Sequence, residues 1–350
     1  MQLCLKSHGF RNLFFSLLLI FYPYLVIGAE SVKKGSGMER SSKKFMVARY
    51  DEKSHQFLVQ DLKLPRMVYG YLFDAEMSPS GQIYLFTTDG ILRLNKGSLE
   101  AESVNSKTPE GGFSIDPEGS IYVAGPKGLL VSKDHGKTFA KKEVPRFDGV
   151  ALKNAAVDAK QNYYLATESG LLVSLDRGET FKKILVDPDS PDSNENHLYN
   201  CFLSKQGALA CTSWHGVLVF SQKDMTMSKA PIGSAESTQI AFDSHGRLHG
   251  IDAPPKSIFR SDDKLKNFKA YEKEWGLSDL SVASCFIDSK DRLFVYGSND
   301  VAIRLPAAEK FEKLKIIGEA INLFRSKIFE SPSGDVFLIS WIPPFGDLED

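Results

Sequence analysis

Strong net charge is missing from this chain. Its 43 Lys and Arg stand against 44 Asp and Glu, a formal net charge of -1. No overall basic field exists to draw in nucleic acid, and no Lys/Arg-rich stripe interleaved with aromatics runs along the sequence. A sustained helical period is also absent. Beyond the first thirty residues the histidines are scattered at His55, His135, His197, His215, His245 and His249, and no pair has the spacing of a zinc motif. No metal and no cofactor is therefore expected. What the chain does have is 42% hydrophobic and 25% charged residues, the composition of an ordinary globular protein with ample core.

The first thirty residues differ from the rest. Lys6 and Arg11 form a positive segment, residues 13–27 are apolar apart from Ser16 and Pro23, and Ile27-Gly28-Ala29 offers a small-residue cleavage site. This is the pattern of a secretory signal peptide over residues 1–29, with Glu30 as the new N-terminus. The apolar run is short against the roughly 20 residues of a membrane span. The expected mature protein is exported, to a periplasm or the extracellular space, and not inserted in a membrane once cleaved. Retention as an anchor is the other reading. Residues 30–43, rich in Ser, Gly and Lys, read as a polar linker. The mature chain would keep Cys201, Cys211 and Cys285, an odd count. Cys201 and Cys211 flank a tight turn and would face each other in a hairpin, close enough for a bridge in an oxidising compartment. Two small buried thiols are the alternative.

One phrase recurs through residues 44–350: an Asp/Ser-x-x-Gly turn, an apolar strand, a short break often ending in Gly, then a second apolar strand. It begins at Ser78, Asp116, Asp158, Ser204, Asp243, Asp288 and Ser331, at intervals of 38 to 46 residues. That spacing predicts an all-β, seven-bladed β-propeller with four strands, A to D, in each blade. The seventh copy stops at Pro343 after its B strand, while residues 45–50 and 56–60 supply two unassigned strands. The N-terminal strands are expected to complete the last blade and so remove an open sheet edge.

Between strands C and D stand Ser132-Lys133-Asp134-His135-Gly136-Lys137-Thr138-Phe139 and Ser174-Leu175-Asp176-Arg177-Gly178-Glu179-Thr180-Phe181. Both match Ser-x-Asp-x-Gly-x-Thr-Phe in full. Ser261-Asp262-Asp263 followed by Phe268 is a degraded copy, and residues 221–227 a weaker one. The chain resembles the Asp-box (BNR-like) propellers, a superfamily that includes sialidases, sortilin-type receptors and photosystem assembly factors. The resemblance implies a fold role for the box. Gly136 and Gly178 supply positive φ, Asp134 and Asp176 accept turn N–H bonds, and Phe139 and Phe181 pack between sheets. The sialidase set is lacking, because Arg304-Leu305-Pro306 falls in the sixth repeat and no Arg lies in the B–C loops.

Alternating strand direction puts A–B turns and boxes on one face, and B–C loops with D–A connections on the other, where loops vary and function tends to sit. That second face is expected to carry Asp89, Lys127, Glu168, Trp214, His215, Asp300 and Trp341 from B–C loops, and His197, Trp275 and an acidic insert over 187–196 from D–A connections. The ligand-binding candidates are Trp214, His215, Trp275, Trp341, Glu168, Asp89 and Asp300. The three tryptophans are either docking surfaces or inter-blade packing. Glu168 with Asp89 or Asp300 is a candidate carboxylate pair for glycoside hydrolysis, against solvated loop acids. No catalytic residue is assigned. The expectation is a monomeric, non-catalytic binding or scaffold propeller whose partner is an unknown protein, peptide or glycan and not a nucleic acid. The alternative is a carbohydrate-active hydrolase or lyase.

Overall fold

The computed structural model describes residues 44–64, 72–95, 100–144, 151–191, 193–213, 216–230, 239–252, 257–262, 265–270, 282–297, 300–308, 310–318, 323 and 326–342. The expected signal peptide, its expected cleavage site and the expected polar linker lie outside the described residues. The chain opens with β1 (Lys44–Asp51) and β2 (Gln56–Asp61). Then come β3 (Leu72–Met77), β4 (Ile83–Thr87), β5 (Gly90–Leu94) and β6 (Ala101–Asn105), which form one four-stranded blade. The second blade is β7 (Gly112–Ile115), β8 (Ile121–Gly125), β9 (Gly128–Ser132) and β10 (Ala140–Lys142). The third is β11 (Leu152–Val157), β12 (Tyr163–Thr167), β13 (Gly170–Ser174) and β14 (Lys182–Ile184). The fourth is β15 (Leu198–Leu203), β16 (Leu209–Ser213), β17 (Gly216–Ser221) and β18 (Thr226–Lys229), and the fifth β19 (Gln239–Phe242), β20 (Leu248–Asp252), β21 (Ser257–Ser261) and β22 (Phe268–Ala270).

The sixth blade holds β23 (Val282–Ile287), β24 (Leu293–Gly297), β25 (Val301–Arg304) and β26 (Glu312–Ile317). The seventh begins with β27 (Lys327–Glu330) and β28 (Val336–Ile342) and takes β1 and β2 as its third and fourth strands. β1 pairs antiparallel with β28 from Lys44 opposite Ile342 to Arg49 opposite Phe337. β2 also pairs in parallel with β26, Gln56 opposite Lys315 and Leu58 opposite Ile317, which joins the sixth and seventh blades edge to edge.

Burial explains the strand order. The second strands β4, β8, β12, β16 and β24 are buried along their whole length, which is why they read as continuous apolar runs instead of alternating ones. The fourth strands β10 and β14 are three residues long, and Lys141 and Lys182 lie exposed on them. Short, lysine-bearing edges resist pairing with other chains. The core is divided among seven clusters, one between each pair of neighbouring blades. The cluster with Phe45, Val47, Leu85 and Ile339 packs the seventh blade on the first and closes the circuit.

The A–B turns repeat one geometry. In each, the residue three beyond the opening Asp or Ser donates its N–H back to that residue's carbonyl, as Gly81 to Ser78 and Gly246 to Asp243. Where Gln161 and Asp291 replace glycine, the backbone still takes φ of 62° and 57°. The turn hydrogen bonds of these two residues, to Asp158 and Asp288, hold the left-handed conformation.

Cys201 and Cys211 stand opposite each other on β15 and β16 and are joined by a disulfide, Cα–Cα 4.1 Å. Cys285 is a free thiol on β23, and burial pushes its pKa up to about 12. No helix among the described residues is long and apolar enough to cross a membrane.

Candidate functional site

The two Ser-x-Asp-x-Gly-x-Thr-Phe segments build the same hydrogen-bonded turn. The Ser132 hydroxyl accepts the Gly136 N–H at 2.8 Å and donates to Asp134 Oδ1 at 2.8 Å. Asp134 also accepts the Thr138 hydroxyl at 2.6 Å and the Thr138 N–H at 2.9 Å. These Thr138 bonds hold the Asp134 carboxyl well below its usual range, to about 2. His135 and Gly136 have φ of 62° and 85°, so the turn uses two consecutive left-handed residues. Asp176 repeats the pattern with Ser174 and Thr180, and its pKa is likewise lowered. Phe139 packs on the cluster between the first and second blades, and Phe181 on that between the second and third. In the degraded copy the carboxylate that closes the turn is Asp262, which accepts the Lys266 N–H at 2.9 Å, and Leu265 takes the left-handed position with φ 55°. Every one of these groups lies at the A–B turn face.

On the opposite face the expected candidates separate. Asp89 is exposed in the turn after β4, and its N–H donates to the Thr87 hydroxyl at 3.2 Å. Glu168 pairs with Lys153 of its own blade, and Asp300 with Lys313 of its own blade. Each of these two carboxylates thus has a cationic partner within its own blade. Trp214, His215 and Trp275 lie outside the described residues. Trp341 was expected in a loop; β28 instead continues through it, and it stands opposite Phe45 of β1. The N-terminal strand supplies a ladder partner there that the repeat pattern alone does not show.

The acidic insert is ordered around one side chain. Asn196 is fully buried. Its Oδ1 accepts the N–H groups of Val186 at 2.7 Å and Asp187 at 3.1 Å, and its Nδ2 donates to the carbonyls of Ser190 and Pro191 at 3.1 Å each. A single turn of 3-10 helix over Asn194–Asn196 completes it. Among the described residues no group of three His, Cys, Asp or Glu is placed to hold a metal ion.

Two features of this face carry no sequence signature. First, Asp74, Gly112, Asn154, Asn200, Gln239, Ser284 and Lys327 occupy one register at the loop-face end of the seven innermost strands. None is apolar apart from glycine, so this register of the innermost strands is polar. Lys327 bonds Asp74 at 2.9 Å and Glu76 at 2.5 Å, tying the seventh blade to the first. Burial pushes the Glu76 carboxyl up to about 7, with Lys327 opposing and Asp74 adding to it. Second, a β-bulge precedes this register in four blades, between Leu72 and Asp74, Leu152 and Asn154, Leu198 and Asn200, and Val282 and Ser284. Bulges re-aim side chains next to functional sites.

In the third and fourth blades the extra residues are Lys153 and Tyr199. Lys153 reaches Glu168, while the Tyr199 ring lies tilted against His197, ring centroids 4.9 Å apart at 36°. His197 titrates below the usual histidine range, first through burial and then through Lys153, with Glu168 opposing. The imidazole therefore feels both charges of the neighbouring blade.

No family model matches the chain, and no curated protein is similar to it in sequence. Solved structures with the same architecture are numerous but distant. An extracellular domain from B. thetaiotaomicron aligns with a TM-score of 0.61 at 13% identity, covering 80% of this chain and 39% of that one. This chain thus spans about two fifths of that protein. Virginiamycin B lyase from Staphylococcus aureus aligns at 0.58 with 11% identity, covering 85% of this chain and 100% of the lyase. YCF48 from Cyanidioschyzon merolae aligns at 0.55 with 11% identity, covering 79% and 97%. YCF48 has also been solved bound to D1 peptide. At such identities the likeness concerns the fold alone, and with the sheet topology it makes this chain a β-propeller.

Proposed function

We propose that the chain is an exported, non-catalytic binding propeller that takes a protein, peptide or glycan on its loop face. The observation that carries this reading is the state of the ionisable groups there. Glu168 is paired with Lys153, Asp300 with Lys313, and Asp74 and Glu76 with Lys327. A hydrolytic pair needs two carboxyl groups about 5–10 Å apart across a scissile bond; Glu168 and Asp300 each turn to a separate lysine, and Asp74 and Glu76, though near each other, are bridged by the single Lys327 ammonium, which occupies the gap between them. A polar register on the innermost strands with a Tyr–His ring pair beside it suits recognition of polar ligands. The structure of YCF48 with D1 peptide is a precedent for peptide binding by this fold.

A direct test is to present immobilised peptide and glycan libraries to the purified mature chain and to its Tyr199→Ala and Asp134→Ala variants. Tyr199→Ala should lose binding at unchanged melting temperature, and Asp134→Ala the reverse. Loss of binding by Asp134→Ala at full stability would assign the ligand to the box face. The second reading, a hydrolase or lyase, draws on His197, an imidazole against Tyr199 that burial and Lys153 hold below the usual histidine range. Turnover of a glycan that disappears in His197→Ala would favour it.

A further inference from the structure

The bulges of the third and fourth blades bring a lysine and a tyrosine to the same rim from adjacent strands. The same bulge recurs in the first and sixth blades; in the third it sets the Lys153 carbonyl against β7. The Lys153 carbonyl presses so close to Gly112 of β7 that a Cβ on that residue would meet the oxygen at 2.3 Å. Glycine is required there, and any side chain would displace one of the two strands.

We propose that Lys153, His197 and Tyr199 form a subsite for the C-terminal carboxylate of a peptide, with Glu168 holding the ammonium until the ligand displaces it. This rests on the binding-propeller reading given above. The ammonium is the point charge that a carboxylate needs, and capture of a chain-terminal carboxylate is a recurrent recognition mode. The Lys153–Glu168 pair is open to water, with side-chain exposures of 33% and 44%. Such pairs contribute little, so exchanging Glu168 for a ligand carboxylate is close to balanced and the gain comes from neighbouring contacts. The tilted His197–Tyr199 ring pair, whose imidazole feels the Lys153 and Glu168 charges, forms the wall beside it. At the register next to the bulge residues stand the amides of Asn154 and exposed Asn200. Asn154 is fixed by the Cys201 N–H, which donates to its Oδ1 at 3.2 Å. Amide side chains match the alternating donors and acceptors of a peptide backbone leading away from its carboxylate, which favours a peptide over an acidic sugar.

The experiment follows the His197 ring signal by NMR in the mature, histidine-labelled protein. The probes are N-acetyl-glycyl-glycine as the free acid and the same compound as its C-terminal amide, with glucuronate as a third arm. The acid should shift His197 saturably in the millimolar range, and the amide should bind roughly tenfold more weakly or worse. Lys153→Met should abolish the response at an unchanged melting temperature, and Glu168→Gln should strengthen it several-fold by releasing the ammonium. An equal response to acid and amide, a response that survives Lys153→Met, or no response overturns the subsite. A stronger response to glucuronate than to the peptide acid overturns the choice of ligand. If a library peptide binds the loop face while His197 ignores the acid, the subsite fails and the binding-propeller reading stands.

Discussion

Removing residues 44–62 should destroy the fold, although the deletion touches no repeat copy. Phe45, Met46, Val47, Tyr50 and Phe57 of β1 and β2 are each at most 5% exposed. Burying such a side chain contributes about 1.5–3 kcal/mol, so the five together contribute roughly 8–15 kcal/mol. That equals the whole net stability of a typical domain, about 5–15 kcal/mol. The loss is not confined to the seventh blade, because Tyr50 and Phe57 belong to the cluster shared with the sixth and Phe45 and Val47 to that shared with the first. Two ladders also open: β28 loses its partner from Phe337 to Ile342, and β26 loses the parallel contact at Lys315–Ile317. Size-exclusion chromatography and calorimetry of the truncated chain should show aggregation and no cooperative transition. Reattaching residues 44–62 behind Asp350 through a flexible linker should restore both, since only the order of strands in the blade matters. A truncated chain that stays monomeric with an unchanged melting temperature, or a permuted chain that fails to recover, would refute this account of closure.

Asp134→Ala should cost on the order of 1 kcal/mol in thermal unfolding, a modest figure because the box is solvent-facing. Replacing both Cys201 and Cys211 by Ala should cost about 3 kcal/mol, the loop-closure entropy for cysteines ten residues apart, read as a lower denaturant midpoint. Glu76 has a folded pKa near 7 against 4.5 when free. Its contribution is therefore fully present below pH 4.5 and lost as pH rises through about 7. Glu76→Gln should flatten the stability profile across that window and raise the melting temperature at pH 8 by a few degrees, whereas an unchanged slope would remove Glu76 as its source. Mass spectrometry of the native protein should find Glu30 at the N-terminus, and an intact Met1 chain in the membrane fraction would favour an anchor.

The turns made the fold legible. Left-handed backbone three residues past the opening Asp or Ser demands glycine or a residue held by strong local hydrogen bonds, and that demand recurs at every A–B turn. The two exceptions, Gln161 and Asp291, keep the conformation and use their side chains elsewhere: Gln161 donates to Asp116 at 3.1 Å, and Asp291 accepts the Ser244 hydroxyl at 2.7 Å. Closure was legible for a different reason, an arithmetic mismatch between a last copy lacking two strands and a first segment with two to spare. The bulges left no trace, because Leu-Lys-Asn at 152–154 and Leu-Tyr-Asn at 198–200 contain neither Gly nor Pro to mark an extra residue. Asn196 was hidden in a segment whose Asp, Ser and Pro content reads as solvated. The Lys327 triad joins groups more than 250 residues apart, a contact that only the closed ring creates.

The chemistry of the two faces argues for a division of labour within each blade. At the turn face, the carboxylates that recur are consumed: Asp116 accepts the N–H groups of Glu118 and Ser120 and the Tyr122 hydroxyl, and Asp134 accepts from Ser132 and twice from Thr138. Acceptors so fully used have little left for a ligand, and replacing them costs fold stability. At the loop face, the register shared by seven innermost strands holds aspartate, glycine, two asparagines, glutamine, serine and lysine, so the same backbone position tolerates different chemistry in each blade. A bulge supports such variation because it adds a side chain at the rim without altering the pairing farther down the strand. Substitutions at Lys153, Tyr199 and Asn200 should therefore alter what is bound before they alter whether the ring closes, while substitutions at Asp116 or Asp134 act in the opposite order.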